Sequence, residues 1–323
     1  MNTTSPQILQ PDRKGIMRAA ALLDRSDLVA FPTETVYGLG ADARNSKAVA
    51  AIFAAKNRPS FNPLIVHVPT IEAARQYVVW CDAAEILAQA FWPGPLTLIL
   101  PLISNHGLSP LVTAGLPTLA LRVPAKRSAR TLLEAFGGPV AAPSANPSGR
   151  ISPTTAEHVL EGLSERIAAI VDDGACAVGL ESTIVAVTPT PMLLRAGGLP
   201  TEAIEAAIGR PLPARAHSDQ SDLVTAPGQL ASHYAPHAPV RLNATSPDVD
   251  EVFLGFGTMS CDLNLSETGD LHEAAANLFS HLHRLDKHNR RIAVAPIPAQ
   301  GLGRAINDRL TRAAAPRPKS TER

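Results

Sequence analysis

The sequence predicts an α/β protein of two globular units joined by a proline-rich segment. Three observations carry that reading. The chain has 323 residues with 45% apolar content, enough for more than one core. From Leu28 onward, short β-rich runs alternate with helical stretches. That rhythm breaks over residues 209–239.

In the first unit, placed over residues 12–208, LVAF reads as a strand and Lys47 to Ala55 as a helix, with LIVHV, LTLIL and TLALRV as further strands. A helix follows around Ser128 to Phe136, and PVAAPSANPSG, AAIVDDG, STIVAV and PMLLRAGG continue the alternation. Thr201 is placed as the cap of a short helix over Glu202 to Ile208. Residues 209–239 carry Pro211, Pro213, Pro227, Pro236 and Pro239 without apolar periodicity and read as a linker. Over residues 240–323, the strand-like EVFLGFG, an amphipathic helix from Leu271 to Leu285, the strand RIAVAPIP and a helix from Gly303 to Ala314 form a small βαβα unit. The tail APRPKSTER is expected to be disordered.

Lys plus Arg equal Asp plus Glu at 29 each, so bulk charge points to neither nucleic acid nor membrane, and a phosphate-binding surface must be a local cluster. The N-terminus lacks an apolar signal core and apolar runs such as Leu96 to Leu100 are too short to span a bilayer, so a cytoplasmic location is expected. Cys81, Cys176 and Cys261 are isolated and read as buried free thiols rather than disulfide or zinc ligands. No P-loop, His-Glu-x-x-His or Gly-x-Ser-x-Gly pattern is present. GLGADA fits a dinucleotide fingerprint poorly, because PTETVYG separates it from the strand end and no acidic residue follows about 20 positions on. His272, His281, His283 and His288 read as surface residues.

The densest unusual segment is FPTETVYGLGAD, read as a strand running into a loop. Thr33 and Thr35 offer hydroxyls to a small polar ligand, while Gly38 and Gly40 permit close approach or a sharp turn. In KNRPSFNPLIVHV, Lys56 and Arg58 end a helix before Pro59, where they either complement its dipole or bind an anion; Asn62 adds amide donors. His67 and Arg122 are polar side chains inside apolar strands and each needs a partner, structural or ligand. The loop after Pro139 carries Ser144, Asn146 and Ser152, suited to phosphate oxygens or simply to a Pro/Ser turn. Thr118, Glu181, Ser182 and Thr183 put polar groups at strand edges, and Arg195 ends a strand before paired glycines.

Taken in order, PTETVYGLG, KNRP with NPLIVHV, FWPGPLT, GLPTLALRVP, APSANPSG, LESTIV, LRAGG, the linker PGQLASHYAP and the closing GLGRAINDRL resemble the YrdC-like threonylcarbamoyl-AMP synthase family, in its long form, over nearly the whole chain. The resemblance implies a twisted mixed-sheet α/β domain with a basic cavity and a smaller Rossmann-like α/β domain after the linker. It implies formation of threonylcarbamoyl-AMP and pyrophosphate from ATP, L-threonine and bicarbonate with Mg²⁺, carried mainly by the ATP phosphates. The product would serve the downstream tRNA threonylcarbamoyl-transfer machinery, with at most a weak direct contact to RNA. By the same resemblance Lys56 and Arg58 are the catalytic cations. Lys56, Arg58, Asn62, Thr118, Ser144, Asn146, Ser152, Arg195 and Tyr234 hold ATP, and Thr35, His67, Arg122, Ala142 and Ser182 hold threonine. Tyr234 would make the linker a lid. Two other readings are an RNA-binding module without catalysis, which the balanced charge disfavours, and a carbamoyl transferase, which the lack of companion zinc-finger or acylphosphatase-like segments disfavours.

Overall fold

Ten short strands meet in one mixed sheet, and four more form a separate parallel one. The computed structural model describes residues 5–214, 226–228 and 232–316. The strands of the larger sheet are β1 (Gln7–Leu9), β2 (Val29–Pro32), β3 (Tyr37–Asp42), β4 (Ile65–His67), β5 (Leu96–Pro101), β6 (Thr118–Arg122), β7 (Val140–Ala141), β8 (Ala169–Val171), β9 (Thr183–Ala186) and β10 (Met192–Arg195). They run in the order β1-β8-β2-β3-β7-β4-β6-β5-β9-β10. Pairings such as β4 with β6 and β5 with β9 are parallel, whereas β2 with β3, β4 with β7 and β5 with β6 are antiparallel.

Helices α1 (Arg13–Asp24), α2 (Ser46–Lys56), α3 (Ile71–Arg75), α4 (Asp82–Phe91), α5 (Pro110–Thr113), α6 (Arg127–Phe136), α7 (Ala156–Leu163) and α8 (Thr201–Ile208) complete this domain. Side chains alternate across a strand, and β2 follows that rule. Val29 and Phe31 pack with Ile16 and Leu23 of α1 and Leu132 of α6, while Ala30 between them faces the core shared with Ile52 of α2 and Leu87 of α4.

The second sheet takes β11 (Val240–Arg241), β12 (Glu251–Gly255), β13 (Leu263–Asn264) and β14 (Arg291–Val294) in the order β11-β14-β12-β13, all parallel. Helices α9 (Leu271–Asp286) and α10 (Gly303–Ala314) pack on it through Leu278, Leu282, Ile306 and Leu310. The expected βαβα unit is there with two short strands added.

Several expectations change. β1 precedes residue 12 and pairs parallel with β8, so the first domain starts earlier than 12. Gly38 and Gly40 lie inside β3 rather than in a loop, and Gly40 serves packing: a Cβ there would meet Phe31 at 2.8 Å and the Val29 carbonyl at 3.1 Å, whereas one at Gly38 would come no nearer than 3.3 Å, to the Ala142 Cβ. Thr201 is the first residue of α8, preceded by Pro200, and makes no side-chain cap. The linker's first residues belong to the domain, because Leu212 is buried in its core and the Leu193 amide donates to the Pro213 carbonyl at 2.9 Å. Cys176 is buried, but Cys81 and Cys261 are half-buried.

His281 and His283 are half-buried, not surface residues like His272 and His288. The His283 ring stacks on that of His158 at 3.9 Å, and its Nε2 lies 3.3 Å from the Ser152 carbonyl, because α9 packs against the first domain there. Residues 317–323 of the tail lie outside the described residues, as do 215–225 and 229–231 of the linker. No helix among the described residues is long and apolar enough to cross a membrane.

Candidate active site

One end of the large sheet gathers the polar side chains that the apolar strands could not absorb. His67 ends β4 and Arg122 ends β6, adjacent in parallel register, at the carboxyl ends of strands where α/β sheets place ligands. The β2–β3 turn adds Thr33, Glu34 and Thr35, the segment after β7 adds Ala142 and Ser144, Ser182 precedes β9, and Arg195 closes β10. All of these but Glu34, which stands behind Arg122, line a narrow cleft with an interior of about 50 Å³. Pro227, Gly228, His233 and Tyr234 of the linker form the wall opposite.

Arg122 is buried and fully directed. Its Nη2 donates to Glu34 at 2.5 Å, Nη1 to the Thr35 hydroxyl at 2.9 Å and Nε to the Gly94 carbonyl at 3.2 Å. Glu34 in turn accepts from the Ala125 amide at 2.8 Å, so its carboxylate fixes both the arginine and the segment after β6. A guanidinium has five N–H donors, and the unspent ones remain for a ligand. His67 is buried, with Nδ1 lacking a partner among the described residues; burial first, and then the nearby Arg122 charge, hold its pKa down at about 3, so the ring is neutral. The Ser182 hydroxyl lies 2.7 Å from that of Thr97.

Lys56, Arg58 and Arg195 are buried cations that meet backbone carbonyls and no carboxylate within ion-pair distance among the described residues. Lys56 Nζ donates to the carbonyls of Ser144, at 2.5 Å, and Asn146. Arg58 donates to the carbonyls of Pro63 at 2.9 Å and Asn62 at 3.3 Å. Arg195 Nη2 donates to the Ser182 carbonyl at 2.8 Å and Nη1 to that of Pro227 at 3.2 Å. Burial, reinforced by Arg58, pushes Lys56 well below the usual lysine range, and burial brings Arg58 to about 10. Desolvating like charges together is costly, and an anion in the cleft would relieve it.

Nine of the expected ligands line this cleft: Thr35, Arg58, His67, Arg122, Ala142, Ser144, Ser182, Arg195 and Tyr234. Lys56 stands behind the Ser144–Asn146 segment and braces it. Asn62 is fully buried, with neither amide atom partnered among the described residues. Thr118 lines a separate small crevice with Pro63 and Leu64, beside Asn62 in sequence. Asn146 donates to the carbonyls of Pro147 and Arg150, each at 2.9 Å, leaving Oδ1 unpartnered. Ser152 donates to Glu181.

No group of three His, Cys, Asp or Glu able to hold a metal occurs among the described residues. Glu181, which lines the cleft, and Glu34, behind Arg122, are both tied in ion pairs. This donor set fits a divalent cation that arrives on phosphate oxygens rather than one caged by the protein.

Comparison with known proteins agrees with this geometry. The Sua5/YciO/YrdC family model, described as telomere recombination, matches residues 21–197, and a model described as the threonylcarbamoyl-AMP synthase C-terminal domain matches residues 199–315. The chain belongs to the Sua5/YciO/YrdC family. A Bacillus subtilis threonylcarbamoyl-AMP synthase is 42% identical over 97% of this chain and 94% of its own length. A Pyrococcus abyssi threonylcarbamoyl-AMP synthase is 40% identical over 91% of this chain and 92% of its own. The crystal structure of P. abyssi Sua5 complexed with L-threonine superposes with a TM-score of 0.87 at 38% identity, covering 96% of this chain and 98% of that one.

For this Sua5-family chain, sequence reasoning missed Glu34 as a partner of Arg122, although a carboxylate between two threonines in an apolar run was a usable signal. It left Glu181 without a role and overlooked Arg309. These two form a buried ion pair at 2.8 Å that joins the domains. Burial would raise the Glu181 carboxyl, yet Arg309, Arg195 and the Ser152 hydroxyl together hold it below the usual range. His233 and Gly228 were also missed; a Cβ at Gly228, where φ is +84°, would meet the Tyr234 hydroxyl at 2.7 Å.

Proposed function

We propose that this chain is a threonylcarbamoyl-AMP synthase, an enzyme that joins ATP, L-threonine and bicarbonate and releases pyrophosphate. The observation that carries the reading is the cluster of buried cations Lys56, Arg58 and Arg195, none in an ion pair among the described residues, beside a buried arginine, Arg122, with N–H donors to spare. A polyphosphate matches the first group and a free carboxylate the second.

In this reading threonine lies over Thr35, His67, Ala142 and Ser182 with its carboxylate on Arg122. Its amine takes up bicarbonate with loss of water to give a carbamate. One carbamate oxygen then bonds to the α-phosphorus of ATP as the bond from that phosphorus to the pyrophosphate oxygen breaks. Neutral His67 cannot repel the incoming amine as a cation would, and it offers a lone pair for an N–H. Glu34 and Glu181 are committed to arginines, so the cleft works by positioning and charge neutralisation rather than through a free carboxylate base.

The phosphates lie along Arg58, Ser144 and Arg195, with Lys56 holding the Ser144–Asn146 segment in shape and carrying its charge behind it. Asn62 and Thr118 receive the nucleoside end, where Asn62's unpartnered amide needs hydrogen bonds. Ser152 and Asn146 border the phosphates. Mg²⁺ bound to the triphosphate supplies further charge neutralisation. Tyr234 closes the cleft and keeps water from a hydrolysable mixed anhydride. The product is handed in the cytoplasm to the machinery that modifies tRNA.

The test is product chemistry. Incubation with ATP, threonine and radiolabelled bicarbonate should place label in threonylcarbamoyl-AMP. Label that stays in bicarbonate while ATP is hydrolysed would overturn the assignment.

A further inference from the structure

The C-terminal domain approaches the cleft at one point, and the contact there is unusual for a simple domain seam. Arg309 of α10 is completely buried, the largest such side chain among the described residues. Its Nε donates to Glu181 Oε2 at 2.8 Å, Nη1 to Asp308 at 2.5 Å and Nη2 to the Ala196 carbonyl at 3.0 Å. Its guanidinium carbon also lies 4.9 Å from the centre of the Tyr234 ring, close enough for a cation–π contact strengthened by burial.

Tyr234 is held in a conformation that its own backbone does not favour. Its φ is +60°, in the left-handed region where a side chain other than glycine is strained. The surrounding contacts fix it there. The Phe279 ring of α9 stacks near-parallel at 5.6 Å, and the preceding His233 amide donates to the Arg312 carbonyl of α10 at 3.2 Å. On the other side, the Ala235 amide donates to the Gly149 carbonyl at 2.9 Å, tying the same segment to the loop that carries Ser144 and Asn146. The hydroxyl is left over at the cleft, buried and without a hydrogen-bond partner among the described residues.

Glu181 completes the link. One of its oxygens takes Arg309 and the other takes the Ser152 hydroxyl, so the same arginine that supports the lid ring also orients the carboxylate that aims Ser152. A seam needing only an ion pair would require neither the ring contact nor a shared carboxylate lining the cleft.

We infer that Arg309 is a positioning residue through which the C-terminal domain sets the lid: it holds the Tyr234 ring in its left-handed conformation over the nucleotide and, through Glu181, orients Ser152. The inference rests on the proposed function in that the nucleotide lies under Tyr234. Loss of this residue should therefore weaken retention of the nucleotide and leave threonine alone, because no Arg309 contact reaches Arg122, His67 or Thr35.

The test uses the full chain with Arg309→Met, the milder Arg309→Lys, and each combined with Tyr234→Leu. Two readouts are taken: the KM for ATP against the Kd for threonine, and amide hydrogen exchange of residues 232–235. Arg309→Met should raise the ATP KM about tenfold. It should speed exchange of the lid, leave the threonine Kd unchanged, and have a smaller effect once Tyr234 is leucine, when only the Glu181–Ser152 link is left to lose. Arg309→Lys should fall between, since it keeps the charge but not the planar fork. If Arg309→Met does not fold, Arg309→Lys is read by the same criteria. Unchanged lid exchange in a folded variant, or equal effects on ATP and threonine, overturns the inference. Lid exchange needs no turnover, so a wild-type chain that fails to make threonylcarbamoyl-AMP would refute the function while leaving this coupling readable.

Discussion

Replacing Arg122 by lysine probes the amino-acid half of the cleft most sharply. Arg122 spends N–H donors on Glu34, Thr35 and the Gly94 carbonyl and has the rest of its five free for an incoming carboxylate. An ammonium has three donors on a point charge, enough to keep Glu34 paired but not to offer a second prong to a ligand. Arg122→Ala would instead leave the buried Glu34 alone, at a folding cost of about 3–5 kcal/mol that would blur any binding result. With lysine the loss is close to one charge-assisted hydrogen bond, about 1.5–3 kcal/mol, or roughly 10- to 150-fold in threonine Kd. ATP binding, which the proposed function assigns to other residues, should move by less than about twofold. Titration calorimetry with each ligand separately, beside a thermal melt to establish folding, reads both quantities. Equal weakening of ATP and threonine, or an unchanged threonine Kd, would refute the assignment of Arg122 to the carboxylate.

Four further outcomes follow from the same geometry. The pKa of His67 falls to about 3 on folding from an ordinary value near 6.5, so the unfolded chain binds its proton first and stability is lost as pH falls through that window. Between pH 7.5 and 5, unfolding in urea should show a loss about 2 kcal/mol larger in the wild type than in His67→Gln, which keeps the share of His158, His233, His281 and His283, also held down by burial; identical pH slopes would contradict it. Gly40→Ala forces a methyl against Phe31 and the Val29 carbonyl and should destabilise by about 1–3 kcal/mol in urea melts, with a neutral result arguing against the close packing of β2 on β3. A chain ended after Ala214 should outlast one ended after Ile208 by about 2 kcal/mol, because it keeps the buried Leu212, and both should bind threonine but lose affinity for ATP; equal melts would contradict the packing. Chelation of divalent cations should abolish pyrophosphate release while leaving the melting temperature of the ligand-free protein unchanged, and a lowered melting temperature would point to a metal held by the protein itself.

Much of this site was legible because the relevant residues break a local rule. A histidine inside LIVHV and an arginine inside TLALRV stand where an apolar strand has no use for them, and both face the cleft. Arg195 betrays itself in the same way. The alternation that gave the α/β class also placed the central strands, since their apolar runs are buried on both faces. What stayed hidden depends on partners far away in sequence. Lys56 binds carbonyls 88 and 90 positions on, and a backbone carbonyl has no sequence signature. Glu181 and Arg309 lie 128 positions apart on separate domains, each unremarkable alone. β1 is three residues long and pairs with β8, about 160 positions later, so its membership of the sheet is set by that partner and not by its own pattern. Gly40 of β3 misled for a related reason: glycine that removes a clash with Phe31 looks, in sequence, the same as glycine that makes a turn.

The central claim, that one cleft brings a nucleotide, threonine and bicarbonate to reaction, meets its most direct test in a single omission experiment. Pyrophosphate release from ATP is followed with the purified full-length chain, with threonine, bicarbonate or both left out. The account predicts release only when both are present, and its loss in each single omission. Release that continues without threonine, or that is indifferent to bicarbonate, would contradict it.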